Sequence, residues 1–213
     1  MKEKKFYYSF FWLSLVAVAV FFFQMFISGY TDMFVLNNLA LQGQFWRFLT
    51  AIFLHGSGGH LLYNLFALML FGFILEKIIG TKNFLIVFFG SGILANLVSI
   101  FFYPSSLGAS GAIYGILGAV IILRPTMMMW VHGALMPMWL AGIVWIVGDV
   151  IGIFIPDNIG HIAHLSGIFV GTFIGLMLFK ELGQIKKKRQ VIELHEPSIR
   201  AWEDRYMNKL IFT

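Results

Sequence analysis

Long runs of apolar residues occupy most of the chain, and short clusters of glycine, proline and charged residues separate them. About 20 apolar residues form a helix long enough to cross the hydrocarbon core of a bilayer. By this rule the pattern predicts six membrane-spanning helices, at about 6–29, 58–79, 83–103, 110–123, 136–155 and 161–179. We therefore expect an all-α polytopic membrane protein in which residues 1–180 form one six-helix domain.

The fourth predicted helix, at 110–123, is too short to cross the bilayer. Its 14 residues correspond to about 21 Å of helix, whereas the hydrocarbon core is about 30 Å thick. Because backbone groups at the end of such a helix cannot bond to water inside the bilayer, other parts of the protein must surround them. We expect this helix to begin inside the membrane.

Two segments differ from the predicted helices. Residues 30–57 form a long first loop that combines polar residues with bulky apolar ones such as Phe45 and Trp46. This composition is typical of a segment lying at the membrane interface. Residues 181–213 carry mixed charges and are expected to form an amphipathic or loosely ordered tail.

Composition and charge exclude a soluble protein. Hydrophobic residues make up 59% of the 213 residues and charged residues 12%, against about a quarter charged in a soluble domain. Between residues 6 and 179 the charged residues are Asp32, Arg47, Glu76, Lys77, Lys82, Arg124, Asp149 and Asp157. These cannot cover the surface of a soluble domain of that length, and the high apolar content excludes a disordered chain.

The distribution of basic residues predicts the orientation. Six helices place both termini on one side of the membrane, and this side collects most lysines and arginines, including the run at 186–189. The positive-inside rule therefore predicts cytoplasmic termini, with the tail 181–213 in the cytoplasm and the bundle in the cell membrane. Because the net charge of +5 lies at the two ends beside apolar segments, we attribute it to membrane anchoring and expect no nucleic-acid partner.

The first candidate for chemistry is the run Gly108-Ala109-Ser110-Gly111-Ala112-Ile113-Tyr114-Gly115. Ser110 lies where the short helix begins, so free backbone N–H groups there can stabilise an anion. Tyr114 follows one turn later on the same face. A purely structural role is the alternative, with Ser110 as a helix cap and Gly108 and Gly111 as packing positions.

The second candidate is His164, in the last predicted helix. Gly167, Gly171 and Gly175 follow it at intervals of four residues and form a smooth stripe. If this stripe packs on the glycines of the short helix, His164 approaches Ser110. Imidazole is the usual base that activates a serine hydroxyl. A histidine that merely bonds across helices is the alternative.

The third candidate is the pair His60 and Asn64, which project from one face of the second predicted helix because they are four residues apart. Hydrogen-bond donors of this kind can stabilise a tetrahedral oxyanion. They could equally bond across helices. His55, in the preceding glycine-rich turn, is better interpreted as a surface or structural residue.

Other chemistries fit these residues less well. His161 and His164 with His60 could bind a metal, but no carboxylate occurs at a useful spacing. An aspartyl mechanism needs two close carboxylates. Asp157 falls in a loop, and we interpret Asp149 as a helix-end or hydrogen-bonded residue. A transporter would explain glycine-broken helices, but no inverted repeat is evident. The chain has no cysteine, and we predict neither a metal nor another cofactor.

Together these residues resemble the rhomboid family of intramembrane serine proteases, over roughly Trp46 to Gly175. The matching positions are Trp46-Arg47, His60-x-x-x-Asn64, Glu76, Gly108-x-Ser110-Gly111-x-x-Tyr114-Gly115 and Ala163-His164-x-x-Gly167-x-x-x-Gly171. His161 precedes His164 by one turn, but the register with the matching glycines selects His164.

The resemblance implies a Ser-His dyad without a third, acidic member. Ser110 would be the nucleophile and His164 the general base and acid. The Ser110 backbone N–H, His60 and Asn64 would bind the oxyanion, and Tyr114 would support the imidazole.

The implied activity is cleavage of transmembrane segments of other membrane proteins, by the prokaryotic six-helix form of the family. The implied partners are transmembrane protein substrates and the lipid bilayer. The alternative is a non-catalytic rhomboid-like protein that binds membrane clients, and the intact Ser110 and His164 favour the protease. Nothing in the sequence indicates an oligomeric state.

Overall fold

The computed structural model describes residues 6–131, 133–157 and 159–206, with side chains described as far as residue 183 and at residue 201. The chain divides into two units, Met1–Leu176 and Met177–Thr213. Helices dominate the described residues, which confirms the helical prediction. The helices are α1 Ser9–Phe26, α2 Tyr30–Phe34, α3 Arg47–Thr50, α4 Gly58–Ile79, α5 Thr81–Ser99, α6 Ser110–Leu123, α7 Met138–Gly152 and α8 His161–Tyr206.

The described residues of the first unit also include two small antiparallel sheets. Strand β1, Leu36–Asn37, pairs with β2, Ser105–Ser106, and ties the first loop to the segment before α6. Strands β3, Met128–Val131, and β4, Ala134–Pro137, form a hairpin before α7. Its turn contains Gly133 at φ +81°, the left-handed conformation that tight hairpin turns require.

Among the described residues, four helices are long and apolar enough to cross a membrane, judged by length and composition. These are Ser9–Phe26, Gly58–Ile79, Thr81–Ser99 and the part of α8 at His161–Gly183. Two further apolar helices, Ser110–Leu123 and Met138–Gly152, are shorter.

The element bounds differ from the prediction at several ends. Strands β3 and β4 lie before α7, which therefore begins at Met138 rather than at 136. The helix predicted to close at residue 179 continues to Tyr206. Lysine, glutamate, glutamine and arginine are all good helix formers, so the charges after 179 end the apolar run without ending the helix.

The short helix α6 lies at the centre of the bundle. Ten of its 14 residues are buried, and it packs against α4, α5 and α7. Its glycines also face α8: a Cβ atom at Gly167 would overlap the carbonyl oxygen of Gly111, and one at Gly171 would overlap that of Gly115. The two glycine stripes therefore pack together, as their spacing predicts.

A buried carboxylate joins α1 to α4. Glu76, fully buried near the end of α4, accepts hydrogen bonds from the backbone N–H of Tyr7 at 3.4 Å and of Phe10 at 3.2 Å. The Thr81 hydroxyl donates to it at 2.5 Å. Because the N–H groups at the start of a helix have no intrahelical partner, Glu76 serves as a cap for α1 supplied by another helix.

We expect Gly171→Ala to destabilise the bundle, because its Cβ would overlap the Gly115 carbonyl and push α6 from α8. Overpacking of this kind costs about 1–3 kcal/mol, which thermal unfolding in detergent can measure. Gly148→Ala is the matched control, since this glycine also lies in a helix but its Cβ would meet open space. Equal melting temperatures for the two variants would contradict the packing argument.

Candidate functional site

The turn before α6 lies directly against α4. Gly108 has φ +120°, and a Cβ atom there would come within 2.8 Å of His60 Cε1 and 3.8 Å of Asn64 Nδ2. Both the left-handed backbone and the lack of space require glycine at this position. The structure therefore brings His60 and Asn64 together at the turn that precedes Ser110.

Asn64 holds an unused hydrogen-bond donor at this turn. Its side chain is buried, and its Nδ2 has no hydrogen-bond partner among the described residues. An unpaired buried donor costs about 1–3 kcal/mol. His60 is half-buried, and its backbone N–H donates to the Ser57 hydroxyl at 3.1 Å, which caps α4.

Ser110 is the first residue of α6 and is only partly buried. Backbone N–H groups in the first turn of a helix have no intrahelical partner, so they are free to bind an anion. Within the described ranges, the hydrogen bonds do not include one between Ser110 and His164. The serine is thus placed at a helix start, and in the part of the chain that the structure describes its hydroxyl has no hydrogen-bonded side chain.

His164 approaches the same helix end through close packing of α6 and α8. A Cβ atom at Gly111, the residue after Ser110, would lie 3.7 Å from the carbonyl oxygen of Ala163, the residue before His164. One turn further along α6, the Tyr114 ring stacks on the His164 imidazole, with centroids 4.1 Å apart and planes 9° apart. His164 is therefore buried against α6, as the glycine spacing predicts.

Asp149 of α7 is a residue that sequence reasoning missed as part of this site. It is only 4% exposed, and its Oδ1 accepts from Nδ1 of His164 at 2.9 Å and from Nδ1 of His161 at 2.7 Å. A charge inside an apolar span is costly and marks a functional candidate by default. That rule singles out Asp149, but sequence spacing does not reveal which histidines it faces.

His161 lies between two carboxylates. Its Nε2 is 3.1 Å from an oxygen of Asp157, while its Nδ1 faces Asp149. A doubly protonated imidazole satisfies both contacts, because each ring nitrogen then donates. The hydrogen bond from the Ile159 backbone N–H, and to a smaller extent the contact with His161, hold the pKa of Asp157 below its usual range.

Asp149, His161 and His164 form a possible metal-binding group. One ligand atom from each lies within 4.8 Å of the others, so the structure supplies the carboxylate that sequence spacing did not, and His60 is not one of the three. The two Nδ1 to Oδ1 distances, 2.7 and 2.9 Å, are those of hydrogen bonds, which satisfy these atoms without an ion.

His55 lies beside the site as a buried structural residue. Its backbone N–H donates to Gln24 of α1 at 2.9 Å, and its ring is 5.1 Å from that of His60. Burial and the neighbouring His60 lower the pKa of His55 to about 4. The ring is therefore neutral at pH 7.

Comparison with known proteins identifies the family. The Rhomboid domain matches residues 42–181, which is more than half of the chain and includes every candidate residue named above. The chain belongs to the rhomboid family.

Individual rhomboids agree with this assignment. The Bacillus subtilis rhomboid protein YdcA is 32% identical over 174 residues, covering 78% of this chain and 81% of YdcA. Rhomboid protease GluP of the same species is 34% identical over 142 residues, covering 66% of this chain but 28% of GluP. The chloroplastic Rhomboid-like protein 11 of Arabidopsis thaliana is 28% identical, covering 80% of this chain and 65% of that protein. This rhomboid is an integral membrane protein, and its composition and helices agree with that.

We expect acid to destabilise this rhomboid partly through His55. Its pKa in the folded protein lies below its ordinary value of 6.5, so the unfolded state binds more protons between pH 6.5 and about 4. Stability is therefore full above pH 6.5 and falls as the pH drops toward 4, by at most about 3 kcal/mol. Thermal unfolding at pH 7.5 and pH 5 measures this.

The control is His55→Gln, which has no charge to gain. Its melting temperature should fall less between the two pH values than that of the native protein. An equal fall in both proteins would show that His55 is not responsible.

Proposed function

We propose that this rhomboid is an intramembrane serine endopeptidase that uses Ser110 and His164. The observation that carries the proposal is the convergence at the start of α6: the turn before Ser110 packs on His60 and Asn64, while Tyr114 stacks on His164. A nucleophile, a base and oxyanion donors are the components that acyl transfer requires.

In the proposed reaction, the Ser110 oxygen attacks the carbonyl carbon of the scissile peptide while His164 takes the hydroxyl proton. The oxyanion is stabilised by the Ser110 backbone N–H, His60 and Asn64. His164 then gives the proton to the leaving amine, and the acyl-enzyme is hydrolysed by a water molecule activated by the same imidazole. The unpaired Nδ2 of Asn64 supports its role as a donor, because an oxyanion would satisfy it.

We also propose that six helices cross or enter the membrane, α7 and the short α6 with the four longer ones. Both termini lie in the cytoplasm of a cell with the protein in its plasma membrane, and residues 181–213 follow the domain as a cytoplasmic tail. The start of α6 then faces the outer half of the bilayer. The burial of α6 by its neighbours supports this, because a short helix can end inside a bilayer only where protein surrounds its free backbone groups.

The proposed substrates are transmembrane segments of other proteins. A helix hides its carbonyl groups in hydrogen bonds, so a substrate must unwind locally before attack. Segments with small or helix-breaking residues near the cut should therefore be preferred.

The decisive experiment is cleavage of model transmembrane substrates by purified protein in detergent. We expect Ser110→Ala to abolish cleavage, because no other group replaces the attacking oxygen. Ser166→Ala is the matched control, since that hydroxyl is engaged with the Ile162 carbonyl at 2.7 Å and has no role in the reaction. Cleavage that persists in Ser110→Ala, or a native protein that cuts none of several substrates, would count against the protease.

A second experiment distinguishes the two histidines. We expect His164→Ala to lower the turnover rate about 10²- to 10⁴-fold, the usual contribution of a general base. His161→Ala should keep most of the native rate. Initial rates on the same substrate measure both. The reverse result would reassign the base to His161.

One observation favours the alternative, a non-catalytic rhomboid that binds membrane clients. Ser110 and His164 are not hydrogen-bonded to each other within the described ranges. Catalytic hydrogen bonds are often long before substrate binds, so this geometry also suits a resting enzyme. Binding of a transmembrane segment without cleavage, unaffected by Ser110→Ala, would identify the alternative.

A further inference from the structure

Asp149 is a buried residue whose carboxylate faces His164 rather than solvent. It is 4% exposed, and the other residues of α7 are almost all apolar. A buried carboxylate persists only if it is paired and hydrogen-bonded. Its Oδ1 meets Nδ1 of both His164 and His161, whereas its Oδ2 has no hydrogen-bond partner among the described residues.

The contact at 2.9 Å determines which nitrogen of His164 is free. A neutral imidazole has one donor nitrogen and one acceptor nitrogen. Because a carboxylate only accepts, it selects the tautomer with the proton on Nδ1, and Nε2 is then left with the lone pair that a base needs.

Two contacts together fix the orientation of the ring. Asp149 holds one edge of the His164 imidazole, and the Tyr114 ring covers one face at 4.1 Å. The hydrogen bond with Asp149 fixes how the His164 imidazole is rotated within its own plane. The stacking on Tyr114 fixes the tilt of that plane. The two residues come from α7 and α6, so the ring is fixed between two helices.

We propose that Asp149 is a positioning residue for His164, which it orients through the contact with Nδ1 beside the proposed Ser110–His164 dyad. The inference rests on the proposed protease function. Asp149 does not touch the substrate, and it acts only through the imidazole.

The proton balance of the step is simple. When the Ser110 oxygen bonds to the carbonyl carbon, its proton moves to Nε2 of His164, while the Nδ1 proton stays on the ring. Asp149 remains ionised and stabilises the imidazolium. As the peptide C–N bond breaks, the Nε2 proton passes to the leaving nitrogen, and His164 returns to its neutral form.

His161 and Asp157 provide the internal comparison for this proposal. His161 contacts the same oxygen of Asp149, and a Cβ atom at Gly152 would overlap its ring, so the ring fills the space under α7. Asp157 contacts His161 and the Ile159 backbone N–H, not His164. Two carboxylates thus meet this histidine pair, and one of them reaches the proposed base.

The test compares Asp149→Asn with Asp157→Asn in the full-length purified protein. The asparagine has the size of the aspartate, so a packing role would leave the activity unchanged. For the positioning role we expect Asp149→Asn to lower kcat about 10- to 100-fold, part of the 10²–10⁴ that a general base contributes, with KM unchanged. Asp157→Asn should keep kcat within about twofold of the native value.

A second readout needs no peptide substrate. A fluorophosphonate probe reacts with a serine activated by its base, so its labelling rate at Ser110 should fall in Asp149→Asn by the same factor as kcat. A native kcat and labelling rate in Asp149→Asn, an equal loss in Asp157→Asn, or a loss confined to KM would each overturn the proposal.

The outcomes separate this proposal from the proposed function. If the native protein neither cleaves nor labels, the protease function fails and the role of Asp149 fails with it. If the native protein is active and Asp149→Asn matches it, only the role of Asp149 fails. If Asp149→Asn does not fold, Asp149→Ser replaces it in the test, because serine fits within the same volume and also lacks the charge. The same loss of kcat is then expected.

Discussion

The site depends on the close approach of two helix backbones. Gly167 and Gly171 of α8 lie against the carbonyl oxygens of Gly111 and Gly115 of α6, so closely that a methyl group would overlap them. Inside a bilayer apolar side chains gain little by leaving lipid for each other, and backbone packing of small residues provides the attraction instead. This contact holds His164 beside the helix that begins at Ser110, so the proposed chemistry and the stability of the bundle depend on the same glycines.

Two buried charged residues of the bundle, Glu76 and Arg47, are satisfied by nearby backbone groups. Buried Glu76 accepts the free N–H groups at the start of α1, and the buried guanidinium of Arg47 donates to the carbonyl oxygens of Asp32 at 2.8 Å and Val35 at 2.7 Å. Each therefore organises backbone that has no helical partner of its own. Asp149 differs from both, because its partners are side chains at the candidate site.

Periodicity within one helix could be predicted from the sequence, whereas contacts between distant segments could not. The spacing of His60 and Asn64 places them on one face of α4, and the glycine spacing predicts which sides of α6 and α8 meet; both are properties of a 3.6-residue turn. The hairpin at 128–137 escaped prediction because its strands are short and apolar, and its turn signal is a single glycine. Asp149 and His164 are 15 residues apart on different helices, so only the packing of α7 against α6 and α8 brings them together.

The position of Asp149 changes the meaning of the low charge content. A dyad of neutral residues would avoid fixed charge inside the membrane, but the proposed reaction still creates an imidazolium there when His164 takes the serine proton. In a medium of low dielectric constant such a charge is costly unless a counter-charge is already in place. The Asp149 carboxylate provides it, and in the resting protein His161 keeps that carboxylate paired. The cost of the buried aspartate is thus offset in the resting protein, and its field would stabilise the charge that the proposed reaction produces.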